Sequence, residues 1–204
     1  MLRRGCSPRI ISALALFAVG TACTAADLPT AKIKVGEKMA DFSLPEAGNE
    51  VSHSLYANAG KKAVAVIFIA TKCPYSNAFN QVMANLAQEY ESKGVAFIGI
   101  NSNKTEPATE VAEHAQAHNF GFPVLKDADN VIADRLGASV TPEVFLVDSS
   151  RTLRYHGALG NSARPTTKAS EASDAEVRPA LEAVLNGRPI AQSETKAFGC
   201  TIKR

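Results

Sequence analysis

Cys73 stands at the end of an apolar run, a position that can make a cysteine a reactive thiol. The run VAVIFI occupies residues 64–69 and is followed by ATKCPYSN, with Pro74 directly after the cysteine. A buried strand that ends near Ala70, and a proline suited to the first helical position, predict that Cys73 is a helix N-cap. There the sulfur faces free backbone N–H groups and the positive end of the helix dipole, which favour the nucleophilic thiolate.

The sequence also offers two other roles for Cys73 besides a reactive thiol. The first is a small buried apolar residue, as free cysteines often are. The strand end, the following proline and a long amphipathic helix favour the reactive thiol, and Lys72 adds a positive charge if its side chain lies close enough. The second is a metal ligand, and no metal centre is expected. The four histidines do not stand at ligand spacing from Cys73, and His114 and His118 lie on a helix face rich in Glu and Gln, which is typical of a solvated surface.

A second local signal is the segment SVTPEVFLVD at residues 139–148, in which Pro142 directly precedes a buried strand. Proline cannot continue a sheet ladder, so it must lie at the start of the strand or in a tight loop. A cis peptide bond before Pro142 is one way to make that turn.

The first 26 residues have the layout of a signal peptide. Three arginines precede the ten-residue apolar stretch 10–19, and small residues follow it. This stretch is too short to span a bilayer, which needs about 20 residues. We therefore predict export to the periplasm or the exterior, without a transmembrane segment in the mature chain. The exported domain covers residues 27–204 and includes a cysteine-containing tail from about residue 188.

Charge and cysteine usage limit the partners of the mature chain. Removal of the three arginines leaves 19 basic and 20 acidic residues, a net charge near −1, which does not favour nucleic acid. Cys23 sits among small residues as the lipid-bearing cysteine of a bacterial lipoprotein would. However, Gly20 stands where leucine is usual, so we favour a soluble exported protein over a lipid anchor. The remaining pair, Cys73 and Cys200, is what a disulfide or a dithiol redox centre requires in an oxidising compartment.

Strand and helix patterns alternate along the mature chain, which predicts an α/β fold with a central mixed, mostly parallel sheet flanked by helices. Strands are predicted at 40–44, 64–69, 95–100, 122–127, 143–148 and 152–157, and helices from Pro74 to Gly94 and at 106–118, 131–136 and 174–186. The last two strands predict an antiparallel hairpin at the sheet edge. This order is thioredoxin-like, with an N-terminal extension and an α-helical insertion.

The last helix carries two conflicting signals. Ser173 and Glu176 have the spacing of a capping box, which predicts a start near Asp174. Pro179, that deep in a helix, would remove a hydrogen bond and clash one turn back. A helix that begins at Pro179 is the alternative.

Four segments together resemble the redoxin branch of the thioredoxin superfamily: VAVIFIATKCPYSNAF, LKDADNVIADRLGAS, VTPEVFLVD and TKAFGCTIKR. They look most like the peroxiredoxin-like, or thioredoxin family, proteins within the alkyl hydroperoxide reductase and thiol-specific antioxidant family. The similarity covers roughly residues 35–204. The GCTIKR ending is more particular to this group than the strand-Cys-Pro-helix element, which the whole superfamily shares.

The resemblance implies roles for several residues. It puts Cys73 at the first cysteine of the thioredoxin C-x-x-C motif and Ser76 at the second, and it makes Pro142 the cis-proline that faces the active cysteine. The backbone of Thr141 would then be available to a bound peptide or thiol substrate. Peroxiredoxins carry P-x-x-x-T-x-x-C. Here Ile69, Cys73 and Ser76 fill the places of proline, threonine and peroxidatic cysteine, which counts against a peroxidase.

The sequence leaves the resolving thiol open. Once Cys73 has attacked a disulfide, a second thiol must displace the mixed disulfide, and Ser76 cannot do this. Cys200 is the candidate left in the mature chain, in a tail with Gly199 before it that could fold back across the surface. A disulfide needs Cα atoms within about 7 Å, which sequence separation cannot establish.

Three functions are compatible with these residues, and we favour the first. It is an exported thiol-disulfide oxidoreductase without an organic cofactor, with Cys73 as nucleophile, Cys200 as resolving thiol or structural partner, and a thiol protein as electron donor. The second is reduction of hydroperoxides by Cys73 through a sulfenic acid. The third is a redox-inert or partner-binding module on the same scaffold. The expected substrates are proteins with thiols or disulfides, small thiols, or peroxides.

Overall fold

The computed structural model of the chain describes residues 32–49, 51–58, 60–161 and 172–204. The predicted signal peptide, including Cys23, lies outside these residues and stays a prediction. Within the described ranges, no helix is both long enough and apolar enough to cross a membrane.

The described part of the chain contains strands and helices in the predicted alternation, with most boundaries within three residues of the prediction. The strands are β1 (Ser43–Pro45), β2 (Ser52–Ser54), β3 (Ala63–Phe68), β4 (Val95–Asn101), β5 (Val124–Lys126), β6 (Val140–Thr141), β7 (Glu143–Asp148), β8 (Leu153–Gly157) and β9 (Cys200–Thr201). The helices are α1 (Pro74–Ala78), α2 (Asn80–Glu91), α3 (Ala108–Ala117), α4 (Val131–Leu136) and α5 (Val177–Leu185).

The central sheet consists of β5, β4, β3, β7 and β8, in that order. β3 runs parallel to β4 and β4 to β5, whereas β7 is antiparallel to both β3 and β8. Four strands therefore point one way and β7 points the other, which confirms the mixed, mostly parallel sheet with a hairpin at its edge. Every residue of β3 is buried, as expected for a strand covered on both faces.

Apolar side chains pack on both faces of this sheet, because successive residues of a strand point to opposite sides. Ile67 of β3 belongs to one buried cluster with Leu86 of α2. Val66 and Phe68 belong to the other cluster, which also contains Ile202 from the tail. The tail is therefore part of the packed structure.

The single helix predicted after Pro74 is divided in two. α1 and α2 are separated by Phe79, which has a φ of −99° and a ψ of 1°. Its N–H donates to the carbonyl of Ser76, three residues back, at 3.0 Å, as in a 3₁₀ turn. Hydrophobic periodicity does not reveal this break, because Phe79 and Met83 both remain buried in the same cluster.

Helix α5 begins at Val177, between the two predicted starts. Its N-cap is Glu176 and not Ser173, and the N–H of Ser173, which a capping box would direct to Glu176, donates to Oδ1 of Asn161 at 3.0 Å. Pro179 is the third residue of the helix, where a backbone N–H has no intrahelical partner in any case. The proline fits the first turn, and this position removes the conflict between the two sequence signals.

Candidate active site

Cys73 is held at the N-terminus of α1, as the sequence predicts. Its backbone is extended, with φ −89° and ψ 113°, and it caps the helix that begins at Pro74. Its sulfur accepts a hydrogen bond from the N–H of Ser76 at 3.3 Å and donates one to the carbonyl of Thr141 at 3.3 Å. Only 2% of Cys73 is exposed, so the thiol is both hydrogen-bonded and shielded from solvent.

Thr141 belongs to a loop that approaches Cys73 from another part of the sheet. The Thr141–Pro142 peptide bond is cis, and β7 begins directly after it at Glu143. Proline there removes no ladder hydrogen bond, because it lies ahead of the strand. Pro142 thus has the cis peptide that the resemblance implied, next to the residue that hydrogen-bonds Cys73.

Cys200 lies beside Cys73. The tail forms β9, which pairs antiparallel with β6 so that Cys200 is opposite Thr141 and Thr201 is opposite Val140. The carbonyl of Thr141 also accepts the Cys73 thiol at 3.3 Å, so this pairing brings the two cysteines together, and both thiols are free. The backbone edge of Thr141, which the resemblance left for a substrate, is therefore occupied by the chain's own tail.

Both thiols are influenced by the first turn of α1. The N–H of Ser76 donates to Cys73 at 3.3 Å, and the backbone of Tyr75 lowers the pKa of Cys200. Burial, followed by the neighbouring Cys73 thiol, raises the pKa of Cys200 from 9.0 to about 11, although the Tyr75 N–H and the charge of Lys203 act in the opposite direction. Cys200 is therefore protonated at neutral pH while both thiols are reduced.

Gly199 explains how the tail can come so close to the cis-proline loop. A Cβ atom at this position would lie 1.8 Å from the carbonyl oxygen of Thr141 and 2.6 Å from its carbonyl carbon. These atoms belong to the backbone and cannot rotate away. Glycine is therefore required by the close approach of the two strands.

The tail beyond Cys200 is anchored in the body of the protein. Ile202 is 3% exposed and packs in the second buried cluster. The N–H of Ile202 donates to the carbonyl of Ser139 at 3.0 Å. The N–H of Lys203 donates to Oδ1 of Asn103 at 2.7 Å. One apolar side chain and several backbone bonds thus hold the strand that carries Cys200.

Ser76 and Lys72, the two other predicted neighbours of the thiol, are engaged elsewhere. Ser76 is fully buried, and its Oγ accepts the N–H of Ala70 at 3.2 Å. Lys72 places its Nζ 2.9 Å from a carboxylate oxygen of Glu110. The ammonium group is therefore bonded to α3, and the expected support of the Cys73 sulfur by Lys72 is not seen.

Glu106 is a residue of the site that the sequence analysis missed. It is 2% exposed and accepts the N–H groups of Thr71 and Lys72, both at 2.9 Å. The side chain of Asn101 donates to it at 2.6 Å. Burial alone would raise the pKa of Glu106, but the hydrogen bonds together hold it below its ordinary value. A buried carboxylate therefore fixes the loop immediately before Cys73.

Glu143 has a similar part behind Pro142 and was also missed. It is 4% exposed, and its Oε1 lies 2.6 Å from Nε2 of His156. Its Oε2 accepts the N–H of Ser139 at 2.8 Å and that of Val140 at 3.2 Å. This carboxylate therefore holds β6, the strand against which Cys200 pairs.

Both glutamates left a weak trace in the sequence. Glu143 is the acidic residue that opens the otherwise apolar run after Pro142, and Glu106 stands directly before Pro107 at the start of a predicted helix. An acidic residue at the end of a buried strand or helix often accepts backbone N–H groups there. Neither position gives all the partners, because Glu106 bonds Thr71 and Lys72 and Glu143 bonds His156 as well as its own neighbours.

An apolar rim lies next to the thiols. Phe79, Pro142 and Leu159 line a shallow pocket together with Phe198 of the tail. Phe198 is 49% exposed, and Cys200 is also partly exposed. With the tail docked, the solvent-exposed part of the site therefore consists of tail residues, and Cys73 is buried.

Comparison with known proteins agrees with the geometry. Residues 35–156, more than half of the chain, match the model of the AhpC/TSA family. The crystal structure of a hypothetical protein from Sinorhizobium meliloti 1021 is 35% identical, with a TM-score of 0.78, and the match covers 85% of this chain and 96% of that one. The crystal structure of peroxidoxin BcpB from Mycobacterium tuberculosis is 22% identical, with a TM-score of 0.59, and the match covers 76% of this chain and 97% of that one. At this identity the second likeness shows the fold alone, and it confirms the thioredoxin-like prediction.

A curated relative carries a name that describes its chemistry. Thiol-disulfide oxidoreductase ResA from Oceanobacillus iheyensis is 26% identical over 116 residues. The match covers 56% of this chain and 59% of that protein. The chain thus spans less than two thirds of the length of this relative.

Proposed function

Because the chain belongs to the AhpC/TSA family, we propose that it is a thiol-disulfide oxidoreductase of the redoxin type, with Cys73 as nucleophile and Cys200 as resolving thiol. The juxtaposition of the two cysteines carries this proposal, because Thr141 accepts the Cys73 thiol and pairs with Cys200. Cys73 caps a helix, and the pairing of β6 with β9 holds Cys200 opposite Thr141. A thiol from the tail can therefore resolve the mixed disulfide, which Ser76 of the local motif cannot do.

Reduction of a substrate disulfide follows from this arrangement. The Cys73 thiolate attacks one substrate sulfur and forms a mixed disulfide, while the other substrate sulfur leaves as a thiolate and takes up a proton. Cys200 then loses its proton and attacks the Cys73 sulfur, which forms the Cys73–Cys200 disulfide and releases the second substrate thiol. Two electrons pass from the protein to the substrate, and a donor thiol protein returns them.

The pKa of Cys200 sets the order of these two steps. Cys200 remains a thiol while Cys73 is free, because burial and the Cys73 thiol both raise its pKa. When Cys73 is consumed in a mixed disulfide, one of these two causes disappears and the pKa of Cys200 falls. The backbone N–H of Tyr75, which lowers the pKa of Cys200, then stabilises the thiolate that resolves the mixed disulfide.

Substrate access requires movement of the tail. Cys73 is 2% exposed, and the Thr141 edge that an extended polypeptide would use is paired with Cys200. A polypeptide substrate and β9 therefore compete for the same backbone groups. We infer that β9 separates from β6 when such a substrate binds and returns when Cys200 resolves the mixed disulfide.

Disulfide reduction by the purified protein and by two variants tests the proposal. We expect Cys73→Ser to lose activity by roughly a thousandfold or more. Cys200→Ser should retain the first attack and accumulate a mixed disulfide, detected as the added mass of one substrate fragment. Wild-type rates in Cys73→Ser would end the proposal. Slow alkylation of Cys73, with no Cys73–Cys200 disulfide under oxidising conditions, would instead indicate a redox-inert binding module.

Peroxide reduction is the second candidate, because Cys200 beside Cys73 could also resolve a sulfenic acid. Ile69, Cys73 and Ser76 stand at the places of the peroxiredoxin proline, threonine and cysteine, and the Ser76 hydroxyl already accepts the N–H of Ala70. These observations favour disulfides over peroxides. Peroxide consumption no faster than that of a free thiol would dispose of this candidate.

Export to the periplasm or the exterior completes the proposal. The basic and apolar layout of residues 1–26 supports it, as does the pair of cysteines that remains after cleavage. An oxidising compartment would supply both the disulfide substrates and the donor thiol proteins. A fusion of residues 1–26 to a reporter that is active only outside the cytoplasm tests this, and an inactive fusion would contradict it.

A further inference from the structure

Buried polar side chains gather at the carboxyl ends of β4 and β5. Each is at most 9% exposed. They are Asn101, Ser102, Asn103, Glu106, Lys126 and Asp127. Burial of polar groups is costly unless they are hydrogen-bonded, and a satisfied network makes a region rigid. This polar cluster therefore makes a rigid connection between the segments that it contacts.

One end of the polar cluster reaches the loop before Cys73. Glu106 accepts the N–H groups of Thr71 and Lys72, both at 2.9 Å. These two residues directly precede the N-cap that carries the sulfur. The carboxylate therefore determines where the chain leaves β3 and enters α1.

The other end reaches the tail beyond Cys200. Oδ1 of Asn103 accepts the N–H of Lys203 at 2.7 Å, and the carbonyl of Lys203 accepts the N–H of Lys104 at 3.0 Å. The N–H of Glu106 donates to the carbonyl of Asn103 at 3.1 Å. Asn101 joins the same two residues, because its side chain donates to Glu106 at 2.6 Å and accepts the N–H of Asn103 at 3.3 Å. Glu106 and Asn103 thus contact each other, and each holds one of the two segments that bear a thiol.

Lys126 lies at the centre of the polar cluster. Its Nζ donates to Oδ1 of Asn101 at 2.8 Å and to the carbonyl of Asn103 at 2.7 Å. Burial lowers the pKa of Lys126, and the nearby carboxylates of Glu106 and Asp127 counteract that effect. The lysine therefore supports the connection between the two ends and supplies a positive charge opposite Glu106.

Asp127 belongs to a separate branch of the polar cluster. It accepts the hydroxyl of Ser102 at 2.8 Å and the N–H groups of Ile132 and Ala133, at the start of α4, at 3.2 Å and 3.0 Å. This branch is as deeply buried as the first but holds a helix that carries neither cysteine. It provides a control within the same cluster.

We propose that Glu106 and Asn103 are positioning residues for thiol-disulfide exchange between Cys73 and Cys200. The inference rests on the proposed function and extends it to residues that touch neither sulfur. Disulfide formation depends steeply on the placement of both thiols. The segments that carry Cys73 and Cys200 are far apart in the sequence. They are held in register because the two residues that fix them are hydrogen-bonded to each other and to Asn101.

Equilibration with glutathione measures how readily Cys73 and Cys200 form a disulfide. The ratio of disulfide to dithiol gives the effective concentration of one thiol at the other. We expect Asn103→Ala and Glu106→Gln each to lower this effective concentration about tenfold. The double variant should lower it by much less than the product of the two single effects, because both act through one connection. Ser102→Ala is the matched control and should change it less than about twofold.

A second measurement distinguishes an effect on the position of the tail from an effect on the reactivity of Cys73. In a Cys200→Ser background, the rate at which Cys73 attacks a small disulfide should not fall when Asn103→Ala is added, because that change loosens the tail and leaves Cys73 in place. If Glu106→Gln does not fold, Asn103→Ala and its Ser102→Ala control decide alone.

Two results would overturn the inference while leaving the proposed function intact. One is an equal loss of effective concentration in Ser102→Ala and Asn103→Ala. The other is simple multiplication of the effects in the double variant. A wild-type protein that forms no Cys73–Cys200 disulfide at all would refute the proposed function, and the inference would fall with it.

Discussion

Cys73 and Cys200 lie side by side, yet one is attached to the centre of the sheet and the other to a two-residue strand at its margin. Cys73 follows β3, in which every residue is buried, and is itself 2% exposed. Cys200 is partly exposed and pairs with β6 at only two positions. The proposed nucleophile is therefore fixed by the core, and the proposed resolving thiol is on the segment that can separate at the lower cost in free energy.

This difference fits the order of the proposed reaction. The attacking sulfur must meet each substrate with the same geometry, which a rigid helix terminus provides. The resolving sulfur must move aside for the substrate and then return. A short strand that is anchored mainly by Ile202 and by backbone bonds is suited to both tasks.

Gly199→Val should have the largest effect of these variants, because it should separate Cys200 from Cys73. The added Cβ would meet the Thr141 carbonyl oxygen at 1.8 Å, so β9 must leave β6 and Cys200 must leave Cys73. We expect the effective concentration of Cys200 at Cys73, measured with glutathione, to fall roughly a hundredfold or more. Gly121→Ala is the control, since a Cβ there meets nothing within 4 Å. An unchanged equilibrium in Gly199→Val would show that the two strands need not pair.

Ile202→Ala and Ile98→Ala compare the stability of the tail with the stability of the central sheet. Ile202 is 3% exposed in the tail, and Ile98 is 1% exposed in β4. Ile98→Ala should lower the free energy of unfolding by about 2–5 kcal/mol. Ile202→Ala should mainly release the tail and speed alkylation of Cys200 about tenfold, with a smaller loss of global stability. Equal losses of global stability would mean that the tail unfolds together with the core.

Titration of Cys200 measures how strongly the docked tail and Cys73 change the pKa of this thiol. Burial and Cys73 raise its pKa from 9.0 to about 11. The docked tail therefore prefers the protonated thiol, so docking is fully favoured below pH 9 and weakens as the pH rises towards 11. In Cys73→Ser, thiolate absorbance should give a midpoint for Cys200 that lies lower than in the reduced wild type but still above 9.0, since burial is the larger cause.

A released tail provides the control for this titration. Adding Gly199→Val to the Cys73→Ser variant should bring the midpoint of Cys200 back to about 9, the ordinary value for a thiol in water. Identical midpoints with and without Gly199→Val would show that tail docking does not bury this thiol.

Ser76→Ala should have the smallest effect. It removes the acceptor of the Ala70 N–H, a buried hydrogen bond worth about 1 kcal/mol. The N–H of Ser76 that donates to Cys73 remains, so disulfide reduction should stay within about threefold of the wild type. Chemical denaturation checks the first value and the reduction assay the second. A much larger loss of activity would give Ser76 a direct part in the chemistry.

The fold was largely predictable because its signals are local. Unbroken apolar runs marked the buried strands, and 143–148 and 131–136 were predicted with the bounds that the structure has. The break at Phe79 was not predictable, because the residue stays on the buried side of both helices. The start of α5 at Val177 was missed since a capping pattern outweighed a proline in the sequence.

The candidate site was predictable only on the side of the nucleophile. Cys73, Pro74 and Pro142 belong to two short segments whose local geometry the sequence suggests. The approach of Cys200 depends on the pairing of β6 with β9, and that pairing depends on an absent side chain at Gly199. Such contacts join distant parts of the chain and leave no periodic pattern. The positions of Glu106 and Asn103 were missed for the same reason.

The place of Cys200 near the end of the numbered sequence has a consequence for biosynthesis. A chain is made from its N-terminus, so β3 and Cys73 emerge well before β9. Until β9 is made, Cys73 lacks the thiol that lies beside it in the folded domain. During that interval other oxidants and unfolded neighbours can capture Cys73. The arrival of β9 therefore turns an unprotected sulfur into one that its own chain shields.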